Sequence, residues 1–339
     1  MTENTSKKPV QQKFFEKLKQ VIPGNISFAN EISDVLEISV DGAYRRMRGE
    51  SMLGMDELAK LCKHYQIPPD VFISSDETAT AAFHYRKMIH DEAGFSDYLK
   101  NILSDLTRIN AANPKQIIYA AADLPLFIQF TSPEYSAFKT FFWQKAMLNL
   151  PALEGKKFSA AGIHPAMAEM CKKIADLYIQ IPSVEVWHDD TVLSNLKLVE
   201  FAWESGMFAS KEDALIICKQ LSDMIVLAEK WAAKSAKFRE EGKWAENEGN
   251  FTMYQSEFVL TNNHIFVTAG NTKILYLTLH TFNSIATTNS LFCAETDEWL
   301  KNIIRKSARI SGEGEKQRHK FFKGSQEKIS TLSSRISNS

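Results

Sequence analysis

Several features that define common protein classes are missing from this 339-residue sequence. Its four cysteines lie far apart without a CxxC pair, which argues against a zinc site or a disulfide framework and favours reduced thiols. Because no run of 18 apolar residues occurs, we expect no membrane span. The opening stretch MTENTSKKPVQQK has no apolar segment, so we expect no signal peptide. These absences predict a soluble protein of the cytoplasm.

Catalytic signatures are also missing. The sequence contains no GxSxG, P-loop, GxGxxG or HExxH pattern. The stretch WHDD at residues 187–190 offers a histidine and two aspartates, but acidic residues in the first turn of a helix explain it more simply. We therefore expect a protein that is not an enzyme and that needs no metal and no cofactor.

Charge is distributed unevenly along the chain, although the net charge is only −1. Residues 1–75 carry ten basic and ten acidic side chains, whereas residues 301–339 carry ten basic and three acidic ones. The N-terminal region is therefore not basic in bulk. Any nucleic-acid signal in it must come from how its cations are arranged.

Hydrophobic periodicity divides the chain into two domains and a linker. Residues 11–73 form a run of short helical patterns, and the polar stretch SSDETATAA at 74–82 is typical of a linker. Residues 83–339 predict a larger mixed α/β (α+β) domain, mostly helical. In it FTMYQSEFVL, HIFVTAG and TKILYLTL alternate with period two and predict a small antiparallel sheet.

The segment ISVDGAYRRMRGE at residues 38–50 predicts a short helix with two different faces. Ser39 can cap its start, Gly49 follows as its stop, and Ser27 can cap the helix before it. On a helical wheel the apolar face, which we expect to pack, holds Val40, Ala43, Tyr44 and Met47. The opposite face holds Gly42, Arg45 and Arg46, with Asp41 and Arg48 on the flank.

Two short helices of this kind suit the major groove of DNA, which is about 12 Å wide and admits one helix. Arginine forks match guanine edges and phosphates, and Gly42 would allow the backbone to approach the duplex closely. We expect Arg45, with Gly42 and Asp41, to face base edges. The residues expected to contact phosphates or to support the helix are Ser27, Ser39, Tyr44, Arg46 and Arg48.

Residues 11–73 resemble the lambda-repressor-like (Cro/Xre-type) helix-turn-helix family. The pattern LEIS at residues 36–39 is similar to the turn of that family, and MDELAKLCKHYQIPPDVF is similar to its ending. AYRRMRGE resembles a variant found in regulators of Bacteroidetes-type bacteria, and AADLPLF, FKTFFW and ISGEGEKQRHKFF look similar to their larger domain. The resemblance implies a bacterial transcriptional regulator with an all-α DNA-binding domain. Departures from the pattern are Glu37 in place of the turn glycine, Ser33 in place of an alanine and Pro68 in place of a cap serine.

Three alternatives stay open on the sequence alone. The first domain can be a helical bundle that docks on protein, as in an antitoxin-like or phage-defence adaptor, with its arginines as a solvated face. An aromatic cluster can line a pocket for a small-molecule effector or be ordinary core; its members are Phe127, Phe138, Phe142 and Trp143. An apolar stripe on the last helix can form a homodimer or pack on its own domain; its members are Phe322, Ile329, Leu332 and Ile336.

Overall fold

The structure is a computed structural model that describes residues 9–21, 27–65, 81–86, 92–163, 165–239, 247–279 and 283–339. The chain divides into two compact units, Met1–Ala82 and Phe83–Ser339. The helix predicted at 67–73 lies outside the described residues, as does the predicted linker at 74–82 except for its last two residues.

The first unit is helical throughout its described part. Its helices are α1 (Val10–Val21), α2 (Phe28–Leu36), α3 (Val40–Arg48) and α4 (Met55–Tyr65). Apolar side chains that recur every three or four residues give each helix one buried face. These faces meet in a core formed by Phe14, Phe15, Leu18, Ile32, Leu36, Ala43 and Leu61.

The second unit contains eight further helices and a sheet of eight strands. The helices are α5 (Glu92–Ala111), α6 (Leu126–Gln129), α7 (Pro133–Phe142), α8 (Pro165–Gln180), α9 (Leu193–Glu204), α10 (Lys211–Lys234), α11 (Ser290–Arg305) and α12 (Glu315–Asn338). The strands are β1 (His84–Tyr85), β2 (Lys115–Ala121), β3 (Ser183–His188), β4 (Phe251–Ser256), β5 (His264–Ala269), β6 (Thr272–Leu279), β7 (Asn283–Thr287) and β8 (Ala308–Arg309). This count covers the described residues.

The prediction of a small antiparallel sheet is confirmed for β5 and β6, which pair antiparallel, but it is wrong about β4 and about the size of the sheet. All eight strands belong to one mixed sheet in the order β1-β7-β6-β5-β2-β3-β4-β8. Strands β2, β3 and β4 run parallel at its centre, and the remaining pairs are antiparallel. The error concerned β4 and β5, which follow each other in sequence: β4 pairs with β3, and β5 crosses over to pair with β2. Periodicity identifies a strand but not its partner.

Side chains alternate between the two faces of the sheet and feed two separate cores. Ile117, Tyr119 and Ala121 of β2 join the large core that includes α7, α8 and α10. Ala120 points to the opposite face and joins a smaller core with Cys293 and Leu300 of α11.

The apolar stripe of α12 packs within its own unit. Its members, Phe322, Ile329, Leu332 and Ile336, are buried, and α12 lies along α10 and α9. The stripe is therefore unavailable for a dimer contact in this arrangement. Of the two alternatives, a homodimer contact and packing on its own domain, the structure shows the second.

The four aromatic residues considered for a ligand pocket are also in the large core of the second unit, each with 6% or less of its surface exposed. Each ring meets a neighbouring ring. The centroid distances are 4.5 Å from Phe127 to Tyr178, 5.1 Å from Phe138 to Phe208, 6.1 Å from Phe142 to Phe201 and 6.5 Å from Trp143 to Tyr98.

Candidate nucleic-acid interface

The turn between α2 and α3 has the backbone conformation that a glycine would normally supply. Glu37 adopts a left-handed conformation with φ 57° and ψ 43°. The Ile38 N–H donates to the Ser33 carbonyl at 3.1 Å, and the Ser33 hydroxyl donates to the Ile38 carbonyl at 2.7 Å. Ser33, which stands where the lambda-repressor-like family has an alanine, thus stabilises the turn. Glu37 adopts the left-handed conformation although it is not a glycine.

Both ends of α3 are closed by the residues expected from the sequence. The Ser39 hydroxyl accepts a hydrogen bond from the Gly42 N–H at 3.1 Å, as an N-cap does. Gly49 ends the helix with φ 78°, a conformation that favours glycine. Ser27 occupies the equivalent position before α2, but its side chain makes no capping hydrogen bond, which corrects that expectation.

Gly42 does not present a bare backbone to solvent. A Cβ atom added to it would lie 3.2 Å from the Ser39 hydroxyl and 3.6 Å from Nη1 of Arg46. The same Nη1 donates to the Gly42 carbonyl at 3.2 Å. Gly42 therefore makes room for the capping serine and for a guanidinium of its own helix, and the prediction that it shares an outward face with Arg45 is corrected.

Arg46 is held by α4. Its Nε donates to Oε2 of Glu57 at 2.9 Å, and its Nη2 donates to Oε1 at 2.7 Å. Hydrogen bonding to Arg46 holds the pKa of Glu57 below its usual range, with a further contribution from the Gly54 N–H. Two-pronged pairs of this kind fix orientation as well as adding energy. Of the two roles expected for Arg46, support of the helix is the one that this geometry provides.

The outward face of α3 consists of residues one turn apart. Asp41, Arg45 and Arg48 are exposed along it, as are Val40 and Tyr44 at 41% and 44% of their surfaces. The prediction that Val40 and Tyr44 pack in the core is wrong, because two of the four apolar positions, Ala43 and Met47, suffice to seat this short helix. Arg45 has no hydrogen-bond or ion-pair partner among the described residues.

Arg48 has a partner in the same short segment. Its Nε donates to Oε1 of Glu50 at 2.7 Å and its Nη2 to Oε2 at 3.0 Å. Both side chains are more than half exposed, so water and salt screen this pair strongly. An anion such as a phosphate can therefore replace Glu50 at little cost.

One supporting residue was not anticipated from the sequence. The Gln11 amide on α1 donates to the carbonyls of Arg46 at 2.7 Å and Ser51 at 2.8 Å, and accepts from the Leu53 N–H at 2.9 Å. It therefore ties α1 to the end of α3 and to the segment before α4. A polar residue facing a helix end some 40 positions away has no local sequence signal, and neither has the pairing of Arg46 with Glu57 between two helices.

Other site chemistries were also considered. Among the described residues, no three His, Cys, Asp or Glu side chains are grouped as a metal ion would require. None of the helices in the described ranges combines the length and the apolar character needed to cross a bilayer. Cys171, Cys218 and Cys293 are buried free thiols, and Cys62 is a half-buried one.

Comparison with known proteins gives one match. Residues 7–97 match the model of a family described as BetR domain, a helix-turn-helix-like family. The match includes the four helices described for the first unit, and it suggests a DNA-binding regulatory role. No curated protein and no solved structure matches the chain.

Proposed function

We propose that this chain is a bacterial, cytoplasmic transcriptional regulator of the Cro/Xre type, and that α3 enters the major groove of DNA. The second unit adjusts its activity by binding a ligand or a partner, and no catalytic step is assigned to either unit. The observation that carries the proposal is Arg45, an exposed arginine on the outward face of α3 that makes no hydrogen bond and no ion pair with any described residue.

The arginines of α3 have different surroundings, and the proposal gives them different roles. Arg45 is free to form the bidentate contact that recognises guanine O6 and N7. Arg48 can exchange Glu50 for a phosphate, while Arg46 stays on Glu57 and orients the helix. Asp41 and Tyr44 border Arg45 on the same face and are placed to contact bases or backbone beside it.

Selection from a random duplex pool, followed by single substitutions, tests this proposal. We expect the full chain to enrich one short motif. Arg45→Ala should weaken binding to it by about 1–3 kcal/mol and relax the choice at one base position. Arg48→Ala should weaken binding to all duplexes and flatten the salt dependence. If neither variant changes duplex binding, α3 is not the groove element.

The proposal includes a homodimer. One helix reads only a few base pairs, so high affinity requires two copies placed about 34–36 Å apart on the duplex. Because the α12 stripe is buried, the contact must use another surface of the second unit. Sedimentation of the full chain, alone and with a duplex containing one or two motifs, tests this: a strictly monomeric chain that binds single half-sites tightly would contradict the dimer.

A second candidate function has one observation in its favour. Val40 and Tyr44 expose apolar surface on the same face as Arg45, which is typical of a protein-docking helix. In that case the chain would be a protein-interaction adaptor. The two functions differ in salt dependence: duplex binding that weakens steeply as salt rises supports the regulator, and no duplex binding at low salt supports the adaptor.

A further inference from the structure

Two largely buried side chains and one half-buried carboxylate of the second unit have polar atoms without a hydrogen-bond partner among the described residues, and the carboxylate lies where strand β2 ends. Strands β2, β3 and β4 are parallel and finish at the same edge of the sheet, the edge where ligands of α/β proteins bind. Asp123 follows β2 closely at this edge and is half-buried. This position gives it access to solvent from the strand ends.

Only one of the two oxygen atoms of the Asp123 carboxylate accepts a hydrogen bond from the described residues. The Asn263 side chain accepts hydrogen bonds from the backbone N–H of Ala122 at 2.9 Å and of Asp123 at 3.3 Å. It also donates to Oδ1 of Asp123 at 2.6 Å. Oδ2 accepts no hydrogen bond from the described part of the chain. One carboxylate oxygen therefore remains available to a donor.

Lys139 on α7 is a largely buried lysine whose ammonium has no acceptor among the described residues. Only 6% of its surface is exposed, and its Nζ lies 5.5 Å from the centroid of the Trp143 ring. The ammonium makes neither a hydrogen bond nor an ion pair with any described residue. Burial lowers the pKa of Lys139 to about 8, and the charge of nearby Asp123 acts in the opposite direction. The described residues thus place no acceptor and no anion within hydrogen-bond distance of this ammonium.

Gln129 adds an unused acceptor beside Asp123. It is 2% exposed, and its amide nitrogen donates to the carbonyl of Leu124, the residue after Asp123, at 2.5 Å. Its Oε1 is buried and has no hydrogen-bond partner. Buried polar atoms without partners are rare in folded proteins, and each one requires a reason.

The other buried lysine of this unit shows what a structural lysine looks like here. Lys237 is fully buried, and its Nζ donates to the carbonyls of Tyr178 at 2.7 Å and Ile181 at 2.5 Å. It also sits 3.8 Å from the centroid of the Tyr178 ring. Lys237 thereby supplies hydrogen bonds to carbonyl oxygens at the end of α8. Lys139 makes no comparable hydrogen bonds to the described residues.

We propose that Asp123, Gln129 and Lys139 bind a small zwitterion of the amino-acid class. The carboxylate of the ligand pairs with Lys139, and its ammonium donates to Oδ2 of Asp123 and Oε1 of Gln129. The protein contributes one positive and one negative charge, so a zwitterion leaves the buried site neutral, whereas a simple anion would add uncompensated charge. This inference rests on the proposed function, since it names the ligand class to which the regulator responds.

Thermal unfolding of the full chain provides the test. All six tryptophans lie in the second unit, so their fluorescence reports on that unit. The probes are the twenty common L-amino acids, each at about 10 mM, together with succinate and ethylamine, which each carry one of the two charged groups. We expect at least one amino acid to raise the melting temperature by about 2 °C or more, with no shift from succinate or ethylamine.

Two variants and a control connect the shift to this site. Lys139→Met and Asp123→Asn should both abolish it, while Lys219→Met, which alters an exposed lysine paired with Asp223, should retain it. Lys139→Met should melt no lower than the parent without ligand, because it removes an unpaired buried charge. A structural role predicts the opposite.

Several outcomes would overturn the inference. They are no shift with any amino acid, an equal shift with succinate, and a shift retained in both site variants. If Lys139→Met does not fold, Lys139 is structural and the inference is also overturned. Duplex binding that depends on Arg45 is measured separately, so the regulator can stand when the ligand site fails.

Discussion

The guanidinium of Arg46 and the carboxylate of Glu57 form a two-pronged ion pair that joins α3 to α4, with N–O distances of 2.9 and 2.7 Å. The same guanidinium covers Gly42 on its own helix. Arg46 thus helps to hold α3, the helix that also carries Arg45 and Arg48.

Weakening the Arg46–Glu57 pair should lower the local stability of α3 without changing the residues of its outward face. Glu57→Gln keeps the shape of the side chain but removes the charge, and we expect the local stability of α3 to fall by about 1 kcal/mol. Hydrogen–deuterium exchange of peptides covering residues 40–53 in the full chain measures this. Glu50→Gln is the matched control: it removes the charge from the exposed partner of Arg48 and should leave the exchange of these peptides nearly unchanged.

The Arg46–Glu57 pair should also make the stability of the first unit depend on pH, with stability falling at low pH. Hydrogen bonding to Arg46 lowers the pKa of Glu57, so the stabilisation is present above the unfolded value of about 4.3 and is lost as pH falls through the lower folded value. Carboxyl NMR of glutamate-labelled full-length chain should therefore show a low pKa for Glu57. In Arg46→Met it should move up towards the unfolded value; an unchanged pKa would contradict the pair.

Removal of the Gln11 amide should weaken DNA binding without changing sequence preference. Gln11→Leu loses hydrogen bonds to Arg46, Ser51 and Leu53, which hold the end of α3 and the segment after it. We expect affinity for the selected motif and for random duplex to fall by a similar factor, measured by fluorescence anisotropy. Gln12→Leu is the control, because its single exposed contact to the Arg48 carbonyl is 3.4 Å long. A change of preferred sequence would show that Gln11 acts in readout.

A glycine at the turn should stabilise the first unit. Glu37 has φ 57°, a conformation that costs a non-glycine residue about 1–2 kcal/mol. Glu37→Gly removes this strain and loses only an exposed ion pair to Lys60, at 3.6 Å. Slower exchange of the α2 and α3 amides, by about 1 kcal/mol, is the expected result. Faster exchange would mean that the glutamate stabilises the turn.

The local sequence pattern was sufficient to predict many of the helices and strands of this protein. Periodicity predicts the helices of the first unit and the strands β4, β5 and β6, because burial of one face selects apolar residues at the period of the element. Ser39 and Gly49 mark the ends of α3 because capping requires their side-chain oxygen and their left-handed backbone. These properties belong to a few neighbouring residues, and the sequence displays them directly.

Contacts between distant residues were decided by the tertiary structure alone. A helical wheel places Gly42, Arg45 and Arg46 together, but only the position of α4 shows that Glu57 draws Arg46 and leaves Arg45 outside. The partner of β4 and the burial of Lys139 likewise depend on segments far along the chain. Sequence determines which side chains a segment offers. The three-dimensional packing determines which of those side chains are used internally and which remain free to bind a partner.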